Sequence, residues 1–201
     1  MKKIIFLSCM VVFLAGCGTS GANDDSDSPK KDNQQEDSGQ GNKNNEGKKM
    51  DEKPLIKTIK LDEMIVINDF SEITLKGNVF GKVIDPPNPG DFYTHYENEE
   101  ADQIFLDTII SVKSLLTSGK SAGDFASVKI IYDDKYEYTT FSTIEENGGS
   151  DFTYTNITNI EPLQTGVLHF LASVPSSVEN DGKPLKAIIT VNGETYEQII
   201  R

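Results

Sequence analysis

Leu185-Lys186-Ala187-Ile188-Ile189-Thr190-Val191-Asn192-Gly193-Glu194-Thr195-Tyr196-Glu197-Gln198-Ile199-Ile200 reads as two strands around a two-residue turn. Asn and Gly both tolerate the positive φ of a type I′ turn, whose twist matches that of the strands it joins. A second hairpin signal lies upstream. There Ala126-Ser127-Val128-Lys129-Ile130-Ile131-Tyr132 and Tyr136-Glu137-Tyr138-Thr139-Thr140-Phe141 frame Asp133-Asp134-Lys135.

Between and before these hairpins the apolar runs stay short and β-branched. Ile56 to Leu61 and Glu63 to Ile67 each start a strand, and Asn68-Asp69 turns the chain. Thr74 to Ile84 is a longer strand whose glycines predict a bulge or sharp twist, stopped by Asp85-Pro86-Pro87-Asn88-Pro89-Gly90. Phe92 to Tyr96 begins the next element. Gln103 to Leu115 alternates through Ile110 and Val112 and reads as a central strand. Leu116 to Asp124 reads as a loop, Phe152 to Ile157 as a short strand, and Val167 to Val174 as a strand ended by Pro175. Many short strands with turn-rich spacing and no repeated crossover helix predict an all-β, antiparallel sandwich over residues 54–201.

The N-terminal part has a different character. Met-Lys-Lys precedes an apolar run too short for a membrane-spanning helix, which needs about 20 residues. It ends in Leu14-Ala15-Gly16-Cys17, which matches a lipobox: small residues before a thiol that carries diacylglycerol. Residues 1–16 are thus expected to be a lipoprotein signal peptide, with Cys17 the lipidated mature N-terminus. Cys9 is discarded with the signal, leaving the folded part without a thiol. From 17 to 53 the chain is polar and low in complexity, with Met50 its single large apolar residue after the signal run. Such a stretch buries too little to offset its ordering entropy and predicts a disordered acidic tether. As a coil it would span on the order of 30–35 Å.

The chain resembles a family of Gram-positive extracytoplasmic lipoproteins with an immunoglobulin-like domain of unknown function. The resemblance rests on the lipobox and tether, Val128 to Tyr132 running into Tyr136-Glu137-Tyr138, and Ile160-Glu161-Pro162-Leu163 running into Leu168-His169-Phe170-Leu171. Val174-Pro175 and Asn192-Gly193-Glu194-Thr195-Tyr196 complete it. It implies an immunoglobulin-like sandwich and a lipid anchor at the outer face of the cell membrane, and it carries no catalytic residue across. The Cys-Trp-Cys core of antibody domains is missing.

A net charge of −13 repels nucleic acid and anionic headgroups, so a DNA or RNA partner is excluded. Gly119-Lys120-Ser121 imitates the end of a phosphate loop, but position 114 is Ser where the motif needs Gly. His95 and His169 lack zinc-site spacing; alternation turns His169 away from Leu168 and Phe170, toward solvent. The clusters Glu97 to Asp102, Asp133-Asp134 and Glu145-Glu146 offer oxygen ligands for weak calcium binding, with solvated turns as the alternative and no EF-hand spacing. Neither a metal site nor another cofactor is predicted. Tyr132, Tyr136 and Tyr138 are candidate partner-contact residues, with core packing the competing role. These features point to a surface-anchored, non-catalytic binding or protein-interaction domain facing an envelope protein or cell-wall ligand. The alternatives are an accessory or structural subunit of an envelope complex or transporter, and an envelope enzyme of unknown reaction.

Overall fold

A computed structural model describes residues 56–201. The signal segment, Cys17 and the tether lie outside the described residues. Within them, no helix is long and apolar enough to cross a membrane.

The described residues form strands joined by turns, with short 3-10 turns at Ala122–Asp124 and Ser176–Glu179. In chain order the strands are β1 (Lys57–Thr58), β2 (Met64–Ile67), β3 (Ser71–Gly81), β4 (Val83–Ile84), β5 (Tyr96–Glu97), β6 (Gln103–Ser114), β7 (Lys120–Ser121) and β8 (Ser127–Tyr132). There follow β9 (Tyr136–Thr139), β10 (Phe141–Glu146), β11 (Asp151–Tyr154), β12 (Asn159–Ile160), β13 (Thr165–Pro175), β14 (Leu185–Val191) and β15 (Glu194–Ile199). One sheet has the order β1-β15-β14-β8-β9, the other β11-β10-β13-β6-β3-β2, and two small pairs, β12-β7 and β4-β5, flank them. The result is the expected all-β sandwich.

The core follows from parity. Along β6, Leu106, Ile110 and Val112 point inward, and along β13 so do Leu168, Phe170, Ala172 and Val174. They meet Val128, Ile130, Ala187, Ile189 and Tyr196 of the facing sheet in one buried cluster. Asn192 and Gly193 have φ of 46° and 81°, the backbone of the expected type I′ turn. The bulge expected in the glycine-containing strand lies between Leu75 and Gly77.

Four local expectations are corrected. Every ladder is antiparallel except β1 with β15, which is parallel; no hairpin joins them, so no turn imposes an antiparallel arrangement. The chain changes sheets at Thr140, so Phe141 opens β10 in the opposite sheet and does not extend the upstream hairpin. The Thr140 hydroxyl secures the crossing by donating to the Val128 carbonyl at 2.8 Å. Phe92 to Tyr96 is mostly irregular, with only Tyr96 and Glu97 pairing against β4. The predicted loop from Leu116 contains β7, which pairs with β12.

Because Leu168 is fully buried while Lys113 lies on the partly exposed opposite face, Leu168→Ala should lower the unfolding free energy by about 2–5 kcal/mol. Lys113→Ala should change it by less than about 1 kcal/mol. The chain has no tryptophan, so urea unfolding followed by tyrosine fluorescence measures both.

Candidate functional site

The side of the six-stranded sheet turned away from the sandwich core is its outer face. By parity β6 presents Phe105, Asp107 and Ile109 there, β13 presents His169 and Leu171, and β10 presents Phe141, Thr143 and Glu145. In the ladder His169 stands directly opposite Thr143 on one side and Ile109 on the other. Asp107 and Glu145 each lie two residues further along, at the diagonal positions that long side chains can bridge. His169 Nδ1 is 2.6 Å from Asp107 Oδ2, and its Nε2 is 3.0 Å from Glu145 Oε1.

A lid makes this arrangement possible. The segment from β4 to β5 folds over the outer face, where Ile84, Phe105, Phe152 and Leu171 form a second small core with Tyr96 packed against it. The Phe152 ring meets the His169 imidazole edge-on at 4.8 Å. Along the lid, the amides of Asn88 and Gly90 donate to the carbonyls of Gly149 and Ser150 at 2.8 and 3.1 Å. The Thr94 amide donates to Asp151 Oδ1 at 2.7 Å, which holds that carboxyl below its usual range. Gly149 has a φ of +83°, and a Cβ there would lie 2.7 Å from the Pro87 ring, so the lid seats only over glycine. Tyr96 donates its hydroxyl to Thr143 Oγ1 at 3.2 Å, and Asn98 Nδ2 donates to Ser173 Oγ at 2.6 Å.

His169 is therefore 4% exposed, which corrects the expectation that it faces solvent. Alternation does place it opposite Leu168 and Phe170, but the lid covers the face it occupies. Ionised carboxylates only accept, so holding both fully charged requires a hydrogen on each ring nitrogen. Burial opposes the imidazolium, yet the hydrogen bonds and charges of Asp107 and then Glu145 outweigh it and raise the His169 pKa above its usual 6.5. Burial holds Asp107 above the ordinary carboxylate range even against the pull of His169. Asp107 Oδ1 has no hydrogen-bond partner.

Both imidazole nitrogens are engaged by carboxylates, so neither is free to act as a general base in this geometry. The carboxylates sit on opposite sides of the ring and cannot converge with it on one ion; among the described residues no group of three metal-ligating side chains gathers. A cleft of about 230 Å³ opens at the lid's margin, with Val79, Val83, Ile84, Pro87 and Ile109 as walls and Asp85, Asp107 and His169 as its polar groups.

The other candidates lie elsewhere. Tyr132 is 7% exposed and its hydroxyl donates to Asp181; Tyr138 packs against the main core; Tyr136 is half-exposed and stacks on Tyr132 at 5.9 Å. His95 is exposed on the lid, 6.0 Å from the Tyr93 ring. Of the acidic pairs, Asp133 and Asp134 meet Lys135, Lys183 and Lys186, while Glu145 serves His169. Asp107 was missed in the sequence, although an ionisable residue inside Ile104-Phe105-Leu106-Asp107-Thr108-Ile109-Ile110 is a signal for a buried partner.

No family model matches the chain, and no curated protein does. Among solved structures, an uncharacterized β-sandwich protein from Clostridium difficile 630 is 27% identical with a TM-score of 0.68, over 75% of this chain and 97% of that one. A conserved hypothetical protein from Bacillus anthracis is 12% identical with a TM-score of 0.46, over 70% and 94% of the two chains. The likeness to the first agrees with the sandwich seen here.

A raised folded-state pKa on His169 means the folded protein binds the extra proton more tightly than the unfolded chain does. That stabilisation is complete below about pH 6.5 and is lost as pH rises through the folded pKa. The melting temperature should therefore fall as pH rises above about 6.5, and His169→Gln should remove most of that slope while retaining His95. Melting curves of both proteins between about pH 6 and pH 9 measure it.

Proposed function

We propose that this chain is a non-catalytic interaction module held at the extracytoplasmic face of the cell membrane by lipid on Cys17. In this reading an immunoglobulin-like sandwich, spaced from the bilayer by the acidic stretch 18–53, presents the outer face of its six-stranded sheet to an envelope partner.

The observation that carries this reading is the sidedness of the exposed apolar side chains. Met64 pairs with Thr74 and thence with Ser111, Val66 with Glu72 and thence with Lys113, and Val79 with Asp107. Phe141 pairs with Leu171, and Tyr154 with Thr143. By that register all five share the outer face, and all five are exposed. Single exposed apolar residues are ordinary on any protein, whereas a co-facial set beside a cleft is the pattern of a contact surface. The lipobox supports the anchor, and the acidic low-complexity stretch supports a spacer of adjustable reach.

Photo-reactive residues placed at Val79 or Tyr154 should crosslink in cells to an envelope protein. The same residue at Ser127 on the opposite sheet should not, and Cys17→Ala should abolish the crosslink. Mass spectrometry of the adducts reads the outcome. Equal yields from both sheets, or yields indifferent to Cys17, would overturn the assignment.

A further inference from the structure

Charge is unevenly distributed on the domain. No lysine or arginine occurs between Lys82 and Lys113, nor between Lys135 and Lys183, and these two stretches build the lid, β10 and β11. Lys82 is itself occupied, donating to the carbonyls of Glu100 and Gln103. Among the described residues, Asp85, Asp91, Glu97 and Asp151, all on the lid or bonded to it, have no lysine or arginine within salt-bridge distance.

The same deficit continues beneath the surface. There one imidazole, that of His169, serves two carboxyl groups, Asp107 and Glu145. Asp107 lines the cleft at the lid's margin, is 1% exposed, and has an Oδ1 without a donor. A buried acceptor left unpaired is costly, and a cationic donor arriving there satisfies it. The walls around it are aliphatic. At about 230 Å³ the cleft is smaller than the roughly 300 Å³ or more of sites for drug-sized ligands. An apolar stem ending in a cationic head has the matching shape and polarity, and lysine and arginine side chains have that form.

We propose that the cleft bounded by Val79, Val83 and Ile109 over Asp107 receives a lysine or arginine side chain from a basic segment of a partner protein, while the acidic lid steers that segment into place. This rests on the interaction reading above and names the chemistry of its partner. Phe92, 96% exposed on the lid, and Tyr154 flank the acidic surface as contacts for the segment's remaining side chains.

The test uses the full chain with fluorescein-labelled peptides in which serine alternates with arginine or with lysine. Their neutral counterparts carry citrulline or norleucine, and binding is read by fluorescence anisotropy. A cationic peptide should bind, and its neutral counterpart should bind at least about tenfold more weakly. Val79→Lys, at a 47% exposed wall position, sets a competing cation at the cleft mouth and should weaken binding by a similar factor. Ser127→Lys makes the same charge change on the opposite sheet and should weaken it by less than about twofold.

Equal affinity for charged and neutral peptides, or equal losses in the two lysine variants, would overturn the proposal. So would free N-acetyl-arginine amide or N-acetyl-lysine amide binding as tightly as its peptide, which would make a small cation the ligand. If the peptides fail while outer-face crosslinks persist, the cationic assignment falls and the interaction module stands. Loss of the crosslinks as well removes both.

Discussion

The long antiparallel ladder between β6 and β13 is the constraint on which the remaining structure depends. It runs without a break from Thr165 opposite Lys113 to Pro175 opposite Gln103. A strand has a period of two, so this register fixes the face of every side chain on both strands, and a slip by one residue would invert them all. Even-numbered residues from Ile104 to Val112 and from Leu168 to Val174 then fill the sandwich, and odd-numbered ones are committed to the outer face. Both faces of this pair are largely buried, which is unusual for an antiparallel sheet that meets a partner sheet on one side alone. The lid is what the second face requires.

That second face is not simply apolar. A buried ion pair generally adds little over an aliphatic cluster of the same shape, whereas removing one member leaves an unsolvated charge. The Asp107–His169–Glu145 trio is thus better understood as a constraint on what lies above it than as a source of stability. Glu145 reaches the imidazole from β10, Asp107 from β6, and Phe152 packs the ring from β11, so with β13 itself four strands in register build the seat beneath the lid. Gly149 accepts Pro87 at the turn between β10 and β11, which ties the lid's seat to that register.

Much of the sandwich was legible in the residues. The run from Gln103 through Ser114 and the pair Leu185–Val191 with Glu194–Ile199 carry alternation, β-branched residues and a defined turn, and each of these signals is local. The change of sheet at Thr140 was not read from the sequence: Phe141 falls out of the even-numbered parity of Tyr136 and Tyr138, but a break in parity does not report which sheet the next strand joins. His169 shows the same limit: parity separates it from Leu168 correctly, but nothing in parity says whether the opposite face is open. The cover comes from Asp85 to Asn98, a stretch with three prolines and hardly any paired backbone, which has no period to detect. The association of Asp107 with Glu145 and His169 is a matter of ladder register across three strands, and only the fold supplies it.

The net charge of −13 also acquires a direction from this architecture. On the five-stranded sheet the lysines are matched locally: Lys57 with Glu194, Lys129 with Glu137, and Lys186 with Asp134 and Glu197. Such surface pairs contribute little stability, but they cancel one another's field at a distance. The lid carboxylates Asp85, Asp91 and Glu97 have no comparable pairing among the described residues, and they lie on the side that also carries Val79, Phe141 and Tyr154. Over separations greater than about 8–10 Å such a field is screened at physiological salt, so its reach is limited to roughly one Debye length from the surface. The asymmetry is thus one of pairing, with lysines and carboxylates matched on one sheet and the carboxylates of the lid left without a basic neighbour among the described residues.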